Sequence, residues 1–145
     1  MKYHIYCNIK TQKDYYADAI LEFEKRLSAY CSTDLHISST LEFPKELNTN
    51  NHSFILIQGG ISTYSSEEFS QALNDLQHSG KSFVHVVIGF DEYEFYTALN
   101  NYQKLPEPTK LSLTRNNLSN ETLTLLFYEQ LYRAYTILQG KTYHK

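Results

Sequence analysis

The sequence of 145 residues lacks the features of disulfide-rich, zinc-binding and membrane-spanning proteins. Its two cysteines, Cys7 and Cys31, lie far apart and form no CxxC pair, which argues against a disulfide framework and a zinc site, so we expect free thiols. The six histidines show no metal-ligand spacing, and we expect no metal. The longest apolar run, Phe83–Ile88, is interrupted by His85 and is far too short to cross a membrane.

Glycine and proline are also scarce, at five and three residues. The glycines form neither a GxGxxG fingerprint nor a P-loop, and no Ser/His/Asp or Cys/His arrangement stands out by spacing, so nothing indicates a hydrolase or a metalloenzyme. The N-terminus carries no apolar targeting core, and we expect a cytoplasmic protein. A net charge of −3 gives no overall attraction to nucleic acid, so RNA binding would need a local patch.

What the sequence does contain is an alternation of strand and helix patterns. We expect one α/β domain over residues 1–145 with a mostly parallel sheet. Strands are predicted at 3–9, 35–37, 54–57, 83–88 and 110–113. Helices are predicted from an Asp14 cap to Tyr30, from a Ser65/Glu68 capping box to Gly80, over 92–100, and from Ser119 to Gly140.

The predicted burial follows from the same patterns. The strand at 83–88 is almost continuously apolar and should be central, with His85 as a hydrogen-bonded core residue. Residues 45–52 should form a loop. The inward residues predicted for the first and third helices are Ala17, Ile20, Leu21, Leu27 and Tyr30, and Tyr93, Tyr96, Ala98 and Leu99.

The last helix is apolar around most of its girth, which indicates that it is central to the core or buried against a partner chain. Its polar residues are confined to Glu129, Gln130 and Arg133, and the first and last of these should form an i,i+4 ion pair. From Thr122 onward Glu129 is the only acid, so the C-terminus is the candidate basic patch.

Open parallel sheets bind ligands at the carboxyl ends of their strands. Three predicted loops lie there, at 58–63, 89–93 and 114–118. The glycines of the first two would let backbone approach a ligand, although turn dihedrals alone also explain them.

Several segments resemble one known family. The sequences EQLYRAY at 129–135 and YHK at 143–145 are similar to the ending of the bacterial 23S rRNA pseudouridine methyltransferases called RlmH, of the SPOUT superfamily. The segments SSEEF at 65–69, SGKS at 79–82, VIG at 87–89 and LSL at 111–113 match in the same order.

The resemblance implies a homodimer with a C-terminal trefoil knot that binds S-adenosylmethionine and methylates nitrogen 3 of a pseudouridine in 23S rRNA on the assembled ribosome. It places four residues near the target base: Glu129, Arg133, Tyr143 and His144. It places eight at the methyl donor: Ile57, Gly89, Leu113, Thr114, Arg115, Asn116, Asn117 and Leu118. The tail of one subunit is expected to complete the other's site.

The donor loops depart from the family pattern. The family's acidic residue and glycine-lysine turn are replaced by Gln58, Ile61 and Ser62. Its Gly-Gly-x-x-Gly loop keeps only Gly89. In that loop Phe90 and Tyr93 add bulk, and Asp91 and Glu92 add negative charge. The Leu-Pro-His segment is Leu118-Ser119-Asn120 here, and Thr124 stands in place of an arginine. Three hypotheses stay open: a methyltransferase with a rebuilt pocket, an inactive homologue (a pseudoenzyme) that binds the ribosome or RNA without the donor, and a dimeric α/β protein with a new ligand.

Overall fold

The computed structural model describes residues 1–44, 47, 51–59, 64–99 and 107–143. Within these residues the chain forms five strands and four helices. The strands are β1 (Lys2–Cys7), β2 (Ser32–Ile37), β3 (His52–Ile57), β4 (Phe83–Ile88) and β5 (Thr109–Leu111), and the helices are α1 (Asp14–Leu27), α2 (Ser66–His78), α3 (Glu92–Ala98) and α4 (Asn120–Leu138).

The strands form one sheet in the order β2-β1-β4-β3-β5, and all four strand pairs are parallel. Strand β4 is therefore central, as its apolar sequence predicts. Helices α1, α2 and α4 cover one face, where Ile20, Phe69 and Phe127 pack against β1, β3 and β4. Helix α3 covers the other face, where Phe95 and Leu99 pack with Leu41 and Leu47. The predicted α/β fold with a parallel sheet is confirmed.

The helix boundaries follow local capping chemistry. The Ser65 hydroxyl accepts a hydrogen bond from the Glu68 N–H at 3.1 Å, and the Glu68 carboxylate accepts one from the Ser65 N–H at 3.4 Å, so the predicted capping box is confirmed. Asp14 as the cap of α1 is wrong, because the helix is entered at Lys13 and Asp14 is its first residue. Leu21 as an inward residue is also wrong: it is 50% exposed.

The predicted inner face of helix α3 is mostly confirmed: Leu99 is fully buried, Tyr96 and Ala98 pack partly buried against the same cluster, and Tyr93 alone is wrong. Tyr93 is 78% exposed, and Phe95 is fully buried instead. Phe95 and Leu99 are one helical turn apart and share a face, whereas Tyr93 is about 200° away from Phe95 around the axis. Tyr93 was wrongly chosen over Phe95 because three of the seven residues of α3 are aromatic, so composition alone does not select between them.

Helix α4 is central to the core of a single chain, as one of the two predicted alternatives had it. It lies between α1 and α2: the Tyr128 hydroxyl donates to Glu24 Oε1 at 3.3 Å, and the Phe69 and Phe127 rings pack edge to face at 6.1 Å. The Ser119 hydroxyl caps its first turn. The opposite side of α4, which includes Leu126, Glu129 and Arg133, is only partly buried.

A row of histidines crosses the sheet on the face of α3. Fully buried His85 is hydrogen-bonded through Nδ1 to the Tyr6 hydroxyl at 3.0 Å and through Nε2 to His52 Nδ1 at 2.7 Å. His4 stacks on His85 with ring centroids 5.2 Å apart, and its Nδ1 lies 3.2 Å from Nε2 of exposed His36. The predicted core role of His85 is confirmed.

Some predictions fall on other parts of the chain. Most of the 45–52 loop and the end of the third predicted helix lie outside the described residues, except that β3 already begins at His52. The trefoil knot stays a prediction, because residues 60–63 and 100–106 also lie outside them. Both cysteines are free thiols. None of the described helices is long and apolar enough to cross a membrane.

Candidate functional site

A cavity of about 500 Å³ opens at the carboxyl ends of the strands. It is formed by the loops that follow β3, β4 and β5 and by the first turn of α4. Its volume is within the range of about 300–1,000 Å³ that holds ligands of cofactor size. The lining residues are Ile57, Gln58, Gly59, Gly89, Phe90, Asp91, Glu94, Thr114, Arg115, Asn116, Asn117, Leu118, Asn120 and Leu123.

The structure brings most of the predicted donor residues together here. Ile57, Gly89 and the whole segment 114–118 line the cavity, whereas Leu113 packs against the core and does not. Tyr93 is also absent from the described lining, and Ile61 and Ser62 lie outside the described residues. That these residues bind a methyl donor stays a prediction.

Gly89 lies at the base of the cavity, where the ends of β1 and β4 meet the first turn of α4. Its φ of +84° lies in the left-handed region, and a Cβ here would stand 2.5 Å from Asn120 Nδ2. Asn120 Nδ2 donates to the Asn8 carbonyl at 2.9 Å, and Asn8 Nδ2 donates to the Gly89 carbonyl at 2.9 Å. Glycine is therefore required both by its dihedral angle and by the close approach of the Asn120 amide.

Two carboxylates occupy one rim of the cavity. Asp91 Oδ1 accepts from the Glu94 N–H at 2.7 Å, and Glu94 Oε1 accepts from the Asp91 N–H at 3.2 Å, which makes a capping box at the start of α3. Glu92 points elsewhere: its carboxylate is ion-paired with Lys110 and accepts from Gln58 Nε2 at 3.4 Å. The Lys110 ammonium and the Gln58 amide lower the pKa of Glu92.

The loop at 114–118 supplies the opposite rim. The Ser112 hydroxyl donates to the Thr114 carbonyl at 3.0 Å, and the Thr114 hydroxyl accepts from the Asn116 N–H at 3.1 Å. These two bonds turn the chain immediately after β5. Arg115, Asn116 and Asn117 are consequently exposed at the cavity mouth, where they offer one guanidinium and two amides to a ligand.

A second polar cluster lies on α4 and the tail. Glu129 Oε1 accepts from Arg133 Nη2 at 2.6 Å, from Arg133 Nε at 2.9 Å and from the Tyr143 hydroxyl at 3.3 Å. The Arg133 guanidinium lies 5.2 Å from the centre of the Tyr143 ring. The predicted ion pair of Glu129 and Arg133 is confirmed. With Tyr143, three of the four residues predicted at the target base are grouped. The fourth, His144, lies outside the described residues.

The protonation states of this cluster follow from its contacts. The Glu129 carboxylate raises the pKa of Arg133, chiefly through their hydrogen bonds. Burial raises the pKa of Tyr143, and the Glu129 charge adds to that effect. Arg133 and Tyr143 are therefore protonated hydrogen-bond donors at neutral pH, held in place by one carboxylate.

The cluster and the cavity are separate within one chain. Asn120 lines the cavity, and Glu129 follows it by nine residues, which is about 13 Å along the helix axis and about half a turn around it. Glu129, Arg133 and Tyr143 accordingly do not line the described cavity.

Two lining residues, Glu94 and Leu123, had not been predicted from the sequence, and neither had the contact between Asn120 and Gly89. The Asp91-x-x-Glu94 spacing is a capping-box pattern, so the sequence did contain a usable signal for Glu94. The contact between Gly89 and Asn120 joins residues far apart in sequence and had no local signal. Among the described residues, no three His, Cys, Asp or Glu side chains are grouped as metal ligands would be.

Comparison with known proteins gives one consistent result. A protein of Thermoanaerobacter sp. (strain X514) named Ribosomal RNA large subunit methyltransferase H 1 is 29% identical over 146 residues, with 100% of both chains covered. Proteins of Coprothermobacter proteolyticus and Streptococcus uberis named Ribosomal RNA large subunit methyltransferase H are 30% and 29% identical, again with 100% of each chain covered. The profile of the family described as Predicted SPOUT methyltransferase matches residues 1–144. This chain therefore belongs to the SPOUT methyltransferase family, as a divergent member that resembles RlmH.

Proposed function

We propose that the protein is a methyltransferase that uses S-adenosylmethionine to methylate a pseudouridine of the 23S ribosomal RNA, on the ribosome in the cytoplasm. The observation that carries the proposal is the cavity at the carboxyl ends of the strands, which gathers seven of the eight predicted donor residues. The names of the relatives, which specify ribosomal RNA of the large subunit, support the class of substrate.

The lining residues fit such a donor in size and chemistry. The exposed Arg115 guanidinium would pair with the carboxylate of its amino-acid end, and the amides of Gln58, Asn116 and Asn117 would hydrogen-bond its hydroxyl and adenine groups. When bound, S-adenosylmethionine supplies an electrophilic methyl group on a sulfonium. The chain itself would have to bind and orient the donor and exclude water.

The Glu129 cluster would serve the RNA side of the reaction. A ring N–H that is methylated loses its proton, and negative charge develops on the ring as it does so. Arg133 and Tyr143 are both donors and would stabilise that charge. Glu129 accepts from both through one oxygen, so we assign it a positioning role rather than that of a proton acceptor.

A homodimer would bring the donor cavity of one chain next to the Glu129 cluster of the other. In one chain the cluster lies on the opposite side of α4 from the cavity contact Asn120, so the two cannot meet around one substrate base. The partly exposed side of α4, with Leu126 beside Glu129 and Arg133, offers a surface for a second copy. We propose that each active site combines the cavity of one subunit with the cluster of the other.

The donor-binding part is tested by titration calorimetry with S-adenosylmethionine. Wild type should bind it, and Asn117→Trp should abolish binding because the indole fills the cavity mouth. Asn51→Trp is the matched control. Asn51 is an exposed asparagine just before β3, at the opposite end of that strand from the cavity, so the change should leave binding intact. A wild-type protein that binds no donor at millimolar concentration refutes the proposal.

One observation favours a second candidate, an inactive homologue that binds the ribosome without the donor. The Asn120 side chain fills the space beside Gly89, where the family pattern brings backbone close to the ligand. Both candidates should sediment with large ribosomal subunits, so the donor titration described above separates them. Ribosome association without any donor binding would establish the inactive homologue.

A further inference from the structure

We infer that the cavity selects a cationic nucleoside, such as the sulfonium form of the methyl donor, over the neutral thioether that remains after methyl transfer; this rests on the donor-binding function proposed above. The observation behind it is the pair of carboxylates, Asp91 and Glu94, on one rim of the cavity. The nucleoside would carry its charge within reach of that rim.

The direction of the two carboxylates is fixed by their reciprocal hydrogen bonds. One oxygen of each is used in the capping box, at 2.7 Å from the Glu94 nitrogen and 3.2 Å from the Asp91 nitrogen. The second oxygen of each makes no hydrogen bond to another described residue. The rim therefore presents two oriented, negatively charged hydrogen-bond acceptors to the cavity.

The charges around the cavity do not cancel. Two carboxylates, Asp91 and Glu94, against one guanidinium, Arg115, leave one net negative charge among the described lining residues. The third nearby acid, Glu92, contributes little because Lys110 pairs with it at 2.5 Å. Arg115 would hold the carboxylate of a zwitterionic amino-acid end, and the acidic rim would face the positive groups.

S-Adenosylmethionine and S-adenosylhomocysteine differ by one methyl group and one positive charge. In the transfer, the bond from sulfur to methyl carbon breaks, its electron pair stays on the sulfur, a nitrogen–carbon bond forms, and the ring proton leaves to solvent. The sulfonium charge is lost in that step, so an acidic rim would attract the donor more strongly than the product. The selectivity would thereby ease product release.

One net charge at about 7 Å with an effective dielectric constant of about 40 changes affinity by about five- to tenfold. We therefore expect S-adenosylmethionine to bind about five- to tenfold more tightly than S-adenosylhomocysteine at about 20 mM salt. The ratio should fall to about twofold at about 300 mM salt, where exposed charges are screened. Sinefungin, which carries an amine in place of the sulfonium, should bind like the donor.

The variant that tests the assignment is Asp91→Asn with Glu94→Gln. Asparagine caps a helix as well as aspartate, and glutamine serves the third position of a capping box, so the double change removes the charge and keeps the box. Glu68→Gln is the matched control, since it makes the same change in the capping box of α2, away from the cavity. Calorimetry or competition binding with the three ligands measures the ratio.

The expected result is a ratio near two or below in the double variant and an unchanged ratio in Glu68→Gln. A wild-type ratio near one, a ratio that salt does not alter, or a double variant that keeps the wild-type ratio overturns the inference while leaving the proposed function intact. If wild type binds none of the three ligands, the proposed function itself fails and takes the inference with it.

Discussion

Replacing His85 with glutamine should make the stability of the fold less sensitive to acid. His85 is fully buried in the centre of the sheet, hydrogen-bonded to Tyr6 and His52 and stacked against His4 and Phe54. Burial, together with the neighbouring histidines, lowers its pKa from 6.5 to about 3. The folded protein therefore keeps His85 neutral at pH values at which the unfolded chain protonates it.

The sign and the size of the pH effect on stability follow from this difference in the pKa of His85 between the folded and the unfolded chain. A group whose folded pKa is lowered binds fewer protons in the folded state, so its stabilising contribution is complete above pH 6.5 and is lost as the pH falls toward 3. Between pH 8 and pH 5 the loss from His85 alone is about 2 kcal/mol. Burial lowers the pKa of His4 and His52 as well, so both add to the loss.

Urea unfolding followed by circular dichroism at pH 8, 7, 6 and 5 measures the effect. Wild type should lose at least about 2 kcal/mol over this range, and His85→Gln should lose about 2 kcal/mol less, because glutamine keeps hydrogen-bonding capacity but does not titrate. His78→Gln is the control, since His78 is exposed near the end of α2. Equal losses in wild type and His85→Gln would refute the assignment.

Three further predictions rest on other parts of the molecule. Gly89→Ala should cost about 2 kcal/mol of unfolding free energy, since alanine is strained at positive φ and its Cβ meets Asn120; adding Asn120→Ala should recover part of that loss, and an unaffected single variant would contradict the geometry. Asn117→Trp and Arg133→Ala should each abolish methylation, yet their heterodimer should regain up to about half the activity if sites are shared between subunits; no recovery in a verified heterodimer would place each site within one chain. Partial burial raises the pKa of Cys31 to about 11, so at pH 8 iodoacetamide should alkylate it about 100-fold more slowly in the folded than in the unfolded protein, and equal rates would contradict this shift in pKa.

The sequence predicted those parts of the fold that depend on local signals. The Ser65/Glu68 capping box, the apolar run of β4 and the spacing of Glu129 and Arg133 are each contained in a few residues, and all three are as expected. The choice between Tyr93 and Phe95 was missed, because a short aromatic-rich helix shows no clear apolar stripe.

Contacts that depend on strand order had no local signal. The histidine row joins β1, β2, β3 and β4, and these become neighbours only when the sheet is assembled. The approach of Asn120 to Gly89 likewise depends on where α4 begins relative to β4. The gathering of the segment 114–118 with Ile57 and Gly89 in one cavity was expected from the family resemblance, and the sheet order explains it, because the three loops follow adjacent strands.

The most direct test of the proposed function is transfer of a labelled methyl group from S-adenosylmethionine to large ribosomal subunits that lack the modification. Wild-type protein should label the 23S RNA, and digestion should place the label on nitrogen 3 of a pseudouridine. Arg133→Ala and Asn117→Trp should each label it far less, while Asn51→Trp should match wild type. Subunits that stay unlabelled by a wild-type protein shown to bind both the donor and the ribosome would contradict the proposed function.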